Sequence, residues 1–401
     1  MRCDVLVVGG GPVGAQVARL MAKRGFSVLM VEEHARVGVP VQCAGLFTPG
    51  IFDLVDVPLA EVKLNEIRGA HVRSPAGRTI ALDAGKPMAY AINRGGFDQA
   101  CVRRAEDAGA EVWTHAKAVS FERRDGGVRA GVHRSQQGEV EVDAKLVVGA
   151  DGAASTVAQA FGLPRAKEMV SCYGAQMRSL DNLTPDKVEM FVGNDIAPGF
   201  FGWIVPQGQG HGMVELGVHM SATSARAWFA RMREHKVVEP FVHRGEVLYE
   251  VAAVIPLGPK SQTTADSVML VGDAAAQAKP TSGGGVYTGL KCAAHLVDVA
   301  EGALEAGDLT DARLRAYHER WTADVGRELR IGMRLRKAFM HLRDDEIEAL
   351  FEELDDPEAM ELINRLGDID RPSRLAGQLL RRKPNLLRYT ARAVAQSLFA
   401  D

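Results

Sequence analysis

Cysteine is scarce: Cys3, Cys43, Cys101, Cys172 and Cys292 are the five in 401 residues. They are scattered, odd in number and without CxxC spacing, which excludes a disulfide framework or a zinc ribbon and fits a reducing compartment. No stretch approaches the roughly 18 apolar residues of a transmembrane helix. The first apolar run, Val5 to Val8, follows Asp4 and is too short for the apolar core of a secretory signal. A cytoplasmic protein is expected, touching a membrane only from its inner face. Excess positive charge is also missing. Forty-eight basic against 51 acidic side chains give a net charge of −3, which argues against nucleic-acid binding. Eleven histidines show no metal spacing, so no metal site is expected, and no GxSxG nucleophile elbow is present. What the chain does have is apolar content, at 46%, and glycine, at 42 residues. The first allows a substantial core, and the second implies many close backbone approaches. The length allows two or three domains.

The N-terminus reads strand, glycine turn, helix, strand. Val5 to Val8 is fully apolar, as a buried parallel strand should be. Gly9-Gly-Gly-Pro-Val-Gly14 follows, then a helix with Val17, Leu20 and Met21 on one face, ended by Gly25. Val28 to Val31 forms a second buried strand that stops at Glu32. The spacing Gly9-x-Gly11-x-x-Gly14 is that of a dinucleotide fingerprint. Its glycines permit a tight turn, close approach of a pyrophosphate and close helix–strand packing, and the helix N-terminus offers N–H groups to the anion. Glu32 stands where a carboxylate accepts hydrogen bonds from an adenosine ribose.

Residues 33–60 look irregular, 62–92 read as antiparallel strands, and a helix is expected over about 96–108. Strands follow near 111–122, 128–134 and 142–150, the last ending in Asp151-Gly152. The segment 170–260 is strand-rich, with a helix over 221–235. Ser267 to Val271 is an apolar strand ending in Gly272-Asp273, and Ser282-Gly-Gly-Gly285 opens a helix to about 304. Beyond 310 the pattern is helical. Residues 344–361 hold ten acidic side chains, and residues 371–400 hold seven basic ones and no acid. In that tail Leu387, Ala391, Val394 and Leu398 recur at helical spacing beside Arg388 and Arg392. The pattern fits either a basic amphipathic helix on an anionic membrane or a charged helix paired with the acidic stretch.

Leu270-Val-Gly-Asp-Ala274 resembles the flavoprotein motif whose aspartate binds the ribityl and pyrophosphate side of FAD. Pro280 and Gly283-Gly-Gly285 follow at the spacing at which such proteins start the helix aimed at the isoalloxazine ring. Asn93-Arg94 with Phe97-Asp98 resembles their arginine motif. Together, over about residues 1–330, these segments resemble the p-hydroxybenzoate-hydroxylase type of FAD fold. Within that superfamily Pro40-Val-Gln-Cys-Ala-Gly45 resembles the PxxCxG motif of geranylgeranyl reductases, which saturate polyprenyl chains of lipids. Phe201-Gly-Trp-Ile-Val-Pro206 resembles their YxWxFP motif, with Phe201 in place of the tyrosine and Val205 in place of the phenylalanine.

The resemblance implies an α/β fold: a discontinuous Rossmann-like FAD domain from 1–60, 97–165 and 262–330, a substrate domain with an antiparallel sheet from 61–96 and 166–261, and C-terminal helices over 331–401. It implies FAD as cofactor, held by Gly9, Gly11, Gly14, Ala15, Glu32, Gln42, Cys43, Gly45, Arg94, Ala118, Asp273, Gly284, Gly285 and Val286. Cys43 is the expected catalytic residue, as proton donor or redox partner. Phe201, Trp203 and Pro206 are expected against a polyprenyl lipid. The implied activity is reduction of C=C bonds in geranylgeranyl chains, on an archaeal-type isoprenoid glycerophospholipid. The electron donor, whether NAD(P)H, ferredoxin or another, leaves no distinct motif. An aromatic hydroxylase or flavin halogenase is the alternative within the superfamily. A prenyl-lipid carrier without flavin is the non-enzymatic one.

Overall fold

The computed structural model describes residues 1–389, except 136, 221, 222, 368, 369 and 387. The strand Arg2–Val8 lies between Val28–Val31 and Gly138–Gly149, parallel to both. The strands Glu111–Trp113 and Val268–Leu270 extend the sheet in parallel on either side. This is the buried parallel layer that the apolar runs foretell, and successive residues serve opposite faces. Val5, Val7, Met30 and Val148 pack under the helices Pro12–Lys23, Arg94–Asp107 and Val286–Ala306. Leu6, Val8, Leu29, Val31 and Val147 pack under an antiparallel meander made by Ala116–Arg124, Gly127–Arg134 and the long strand Gly138–Gly149.

The second sheet has seven strands, in the order Glu246–Leu257, Glu168–Arg178, His211–His219, Gly202–Gly208, Lys187–Phe191, Gly69–Arg73 and Thr79–Asp83. It is antiparallel but for one junction, where Lys187–Phe191 runs parallel to Gly69–Arg73. That pairing joins segments over a hundred residues apart, which no local pattern announces. Between the large sheets sits a small one of Leu46–Phe47, Ala89–Ile92 and Lys63–Ile67. The stretch after Glu32 is therefore not wholly irregular.

Element ends shift where caps decide them. The second long helix starts at Arg94 because the Asn93 side chain accepts the Gly96 N–H at 3.0 Å. The helix expected from 221 starts at Ala225, capped by Ser224 accepting the Ala227 N–H. The strand expected over 111–122 breaks at His115, which has φ +51°. After residue 310 the chain folds into the helices Asp311–Asp324, Gly326–Met340, Asp344–Leu354, Pro357–Leu366 and Pro372–Arg382.

The basic tail meets the acidic stretch. Arg382 pairs with Glu358 at 2.7 Å, and Lys383 and Arg388 pair with Asp356 and Glu353. These three cations face carboxylates of the same chain. Leu387, Ala391, Arg392, Val394 and Leu398, on which the membrane-surface expectation rests, lie outside the described residues.

Candidate active site

The glycine turn separates three requirements. Gly9 has φ +107°, and a Cβ there would stand 2.4 Å from the Ala150 carbonyl oxygen. A Cβ at Gly14 would stand 2.2 Å from the carbonyl oxygen of Gly9. Both glycines are demanded by the fold itself. Gly11 differs: a Cβ there meets nothing within 4 Å. The turn thus leaves open space beside its middle glycine, at the N-terminus of Pro12–Lys23, where a pyrophosphate has N–H groups to meet. Ala15 is fully buried on that helix, and its N–H donates to the Gly11 carbonyl at 2.9 Å.

Glu32 closes one end of this cradle. Its carboxylate accepts the Gly10 N–H at 2.8 Å and the His34 N–H at 2.9 Å, and meets His34 Nδ1 at 2.5 Å. Ala118 is buried near the same end, two residues past Ala116, whose N–H donates to the Glu32 carbonyl. Asp151 does something else. It accepts from Ser155 Oγ, Thr156 Oγ1 and the Val157 N–H, and so holds the start of the short helix Thr156–Ala160.

The other end gathers Asp273, Arg94 and Cys43. Asp273 lies in the one-turn helix Gly272–Ala275. That turn is pinned from behind: Gln277 Oε1 accepts the Gly272 N–H at 2.8 Å, and Gln277 Nε2 donates to the hydroxyl of the fully buried Tyr317 at 3.0 Å. The Asp273 carboxyl itself has no hydrogen-bond partner among the described residues. Burial pushes it up to about 6, against the pull of Arg94. A Cβ on Gly285 would stand 2.7 Å from its Oδ1, so the cap of Val286–Ala306 comes directly against the Asp273 carboxyl. Gly284 and Val286 flank that cap, half-buried. Helix and aspartate arrive together at one point, with a positive dipole end beside an unpartnered carboxyl.

Arg94 donates from Nε to Asp98 at 2.8 Å. Burial lowers its pKa, but the Asp98 charge and the Cys43 sulfur outweigh that, and the net shift is upward. It is a permanent cation with Cys43 on one side and Asp273 on another. Cys43 is partly buried, and its Sγ accepts the Gly45 N–H at 3.4 Å. Gly45 has φ +68°, and a Cβ there would stand 2.7 Å from the Ile92 carbonyl oxygen, so this glycine seats the loop against the small sheet. Gln42 is exposed.

Trp203 faces this cluster from the second sheet. It packs with Ala44, next to Cys43, in one apolar group, and with Ala278, five residues past Asp273, in another. Phe200 and Phe201 stack at 4.2 Å, and Phe201 lies 5.3 Å from Trp203. Pro206 is buried on the same strand, but alternation places it with Ile204 rather than with Trp203. Its carbonyl accepts from Asn65 Nδ2 at 2.9 Å.

Two titratable residues here are absent from the sequence-based expectations. Glu215 is 3% exposed and accepts the Trp203 indole N–H at 2.9 Å. Burial pushes its carboxyl up to about 7, although the Trp203 bond opposes the rise. A lone acid within the apolar run Met213-Val-Glu-Leu-Gly-Val218 was the available signal. Lys279, 6% exposed, precedes the glycine cluster and pairs with Asp370, which ties the C-terminal region to this end of the site. Isolated in sequence, it carried no signal.

A glycine cradle with room beside Gly11, a carboxylate at one end, and an unpartnered aspartate with a glycine-capped helix at the other define an FAD-binding flavoprotein. Residues 2–328 match the FAD binding domain family. The chain is 31% identical to digeranylgeranylglycerophospholipid reductase 2 of Methanothermobacter thermautotrophicus over 392 residues, 97% of this chain and 98% of that one. It is 32% identical to the protein of the same name in Methanopyrus kandleri over 398 residues, again 97% and 98%. A geranylgeranyl bacteriochlorophyll reductase-like crystal structure from Thermoplasma acidophilum superposes with TM-score 0.81 at 26% identity, covering 94% of this chain and 98% of that one. The chain belongs to the digeranylgeranylglycerophospholipid reductase family, and FAD is its cofactor.

Proposed function

We propose that this protein is an FAD-dependent reductase that saturates isolated C=C bonds of geranylgeranyl chains on an isoprenoid glycerophospholipid. The observation that carries the reading is the meeting of the Cys43 loop and Trp203 in one apolar group beside Arg94 and Asp273. That arrangement sets an oily wall against the end of the cofactor cradle. Bound FAD would have room for its pyrophosphate beside Gly11, Glu32 would take the ribose, and Arg94 and Asp273 would hold the far end. Reduced FAD supplies a hydride. The protein must align the alkene and bring a proton to its second carbon, because an isolated alkene has no carbonyl to absorb charge. Cys43 lies where it can supply or relay that proton, or where the alkene docks. Trp203 and Phe201 offer faces for the polyprenyl chain.

A prenyl lipid and a reductant are the two partners this activity needs. No helix among the described residues is long and apolar enough to cross a membrane. The intact cradle argues against a flavin-free carrier. The names of the relatives at 31% and 32% identity favour reduction over hydroxylation or halogenation. The test is to reduce the yellow protein with dithionite without oxygen and add a geranylgeranyl glycerophospholipid. Reoxidation of the flavin by the lipid supports the reading. Turnover of NAD(P)H that requires oxygen and hydroxylates an aromatic would replace it.

A further inference from the structure

We propose that Glu215 is the general acid that delivers the proton to the second alkene carbon, with Cys43 on the opposite wall. This rests on the reductase reading and deepens it. Glu215 lies on His211–His219, whose alternate residues Val214, Leu216 and Val218 pack away from the cofactor end, under the helix Ala225–Glu234. Alternation therefore turns Met213 and Glu215 to the other face, where Met213 packs with Trp203 and Ala44. Gly174 on the neighbouring strand leaves the space that the Glu215 stem fills, since a Cβ there would stand 2.3 Å from Glu215 Cγ. The carboxyl is thus buried in the wall that faces the Cys43 loop and the segment after Asp273.

A carboxyl with one hydrogen bond and no counter-charge in an apolar wall is costly unless it holds a proton. Among the described residues, the titratable groups on the packed strands offer none. Cys172 on Glu168–Arg178 and Tyr249 on Glu246–Leu257 are themselves raised, chiefly by burial and further by the Glu215 charge. Trp203 contributes only its N–H. Arg336 acts on Cys172 but is paired with Glu168 at 3.2 Å. Cys172 also feels Cys43, so the two walls are within electrostatic reach of each other. The balance is simple. The C=C bond gains a hydride at one carbon and a proton from the Glu215 carboxylic acid at the other, two electrons come from the reduced cofactor, and the carboxylate left behind takes a proton from water before the next turn.

Glu215→Gln keeps an oxygen acceptor for Trp203 and removes the proton. In anaerobic single turnover with a geranylgeranyl glycerophospholipid, this variant should keep its FAD and its reduction by dithionite, and reoxidise at least about 100-fold more slowly than wild type. The wild-type rate should fall as pH rises above about 7, while the residual Glu215→Gln rate stays flat. A readout independent of turnover is the Trp203 indole N–H resonance of the flavin-free protein, assigned through Trp203→Phe. It should shift with a midpoint near pH 7 in wild type and stay fixed in Glu215→Gln. A variant within about threefold of wild type, or an indole resonance that does not titrate between about pH 5 and 9, overturns the role of Glu215. Wild type that titrates at Trp203 but leaves the lipid unsaturated overturns the reductase reading, and the acid's role falls with it.

Discussion

Glu215 also makes stability depend on pH in a way that can be worked out beforehand. Its carboxyl holds a proton up to about pH 7 in the folded chain, against an ordinary value of 4.5. Between these values the folded state binds a proton that the unfolded state has released. Stability therefore falls as pH rises from about 4.5 to 7 and is flat above, where the folded protein holds a buried carboxylate. At about 1.4 kcal/mol per pH unit the loss is about 3 kcal/mol. The group is 3% exposed, so solvent screening takes little from this figure. Glu215→Gln has no charge to bury and lacks the loss. Whatever the amide itself costs is the same at every pH. Unfolding of the FAD-loaded wild type and variant by urea at about pH 5 and about pH 8 isolates the term. The variant should gain about 3 kcal/mol on wild type between the two conditions. A difference that is equal at both would mean that Glu215 does not titrate in the folded state, and that it is no store of protons.

The glycine turn yields a paired prediction. Gly11→Val places its side chain in open space, so the protein should fold with an unchanged far-ultraviolet circular dichroism spectrum and purify without colour. Gly14→Val drives an atom into the Gly9 carbonyl and should reduce soluble yield as well. A fully yellow Gly11→Val would show that no pyrophosphate lies there. Cys43→Ser and Cys43→Ala should both keep FAD and accept electrons from dithionite, yet fail to sustain normal saturation of the lipid, with Ala the slower if the thiol gives a proton. Wild-type flavin reoxidation in both variants would reduce Cys43 to packing. Reversing the carboxylates that face the tail, as Glu353→Lys with Glu358→Lys, should free Arg388 and Arg382 and raise co-sedimentation with anionic vesicles above wild type, an effect that salt removes. Equal binding before and after would show that the ion pairs do not restrain the tail.

Much of the cofactor cradle was legible because its grammar is local. An apolar run, three glycines at fixed spacing and a carboxylate at the next strand end fall within 32 residues, and backbone geometry demands two of those glycines, Gly9 and Gly14, at their positions. Gly285 and Asp273 were legible through their resemblance to flavoprotein motifs, as a strand end followed by a glycine-started helix. The opposite wall was not. Trp203 and Glu215 meet only through the register of two strands, and an acid in an apolar run reads equally well as a surface residue. The convergence of Cys43, Arg94 and Asp273 depends on a loop, a helix start and a one-turn helix from distant parts of the chain. The tail carried a charge pattern with two readings. The ion pairs from Arg382, Lys383 and Arg388 favour the intramolecular one for the residues they involve.

The most direct measurement of the central claim is the mass of the lipid after one anaerobic turnover. Dithionite-reduced, FAD-loaded protein is mixed with a geranylgeranyl glycerophospholipid, and the extract is analysed by mass spectrometry. The account predicts species heavier by successive pairs of hydrogens, in step with flavin reoxidation, with one deuterium per saturated bond arriving from heavy water. Lipid of unchanged mass beside a flavin that stays reduced would contradict it.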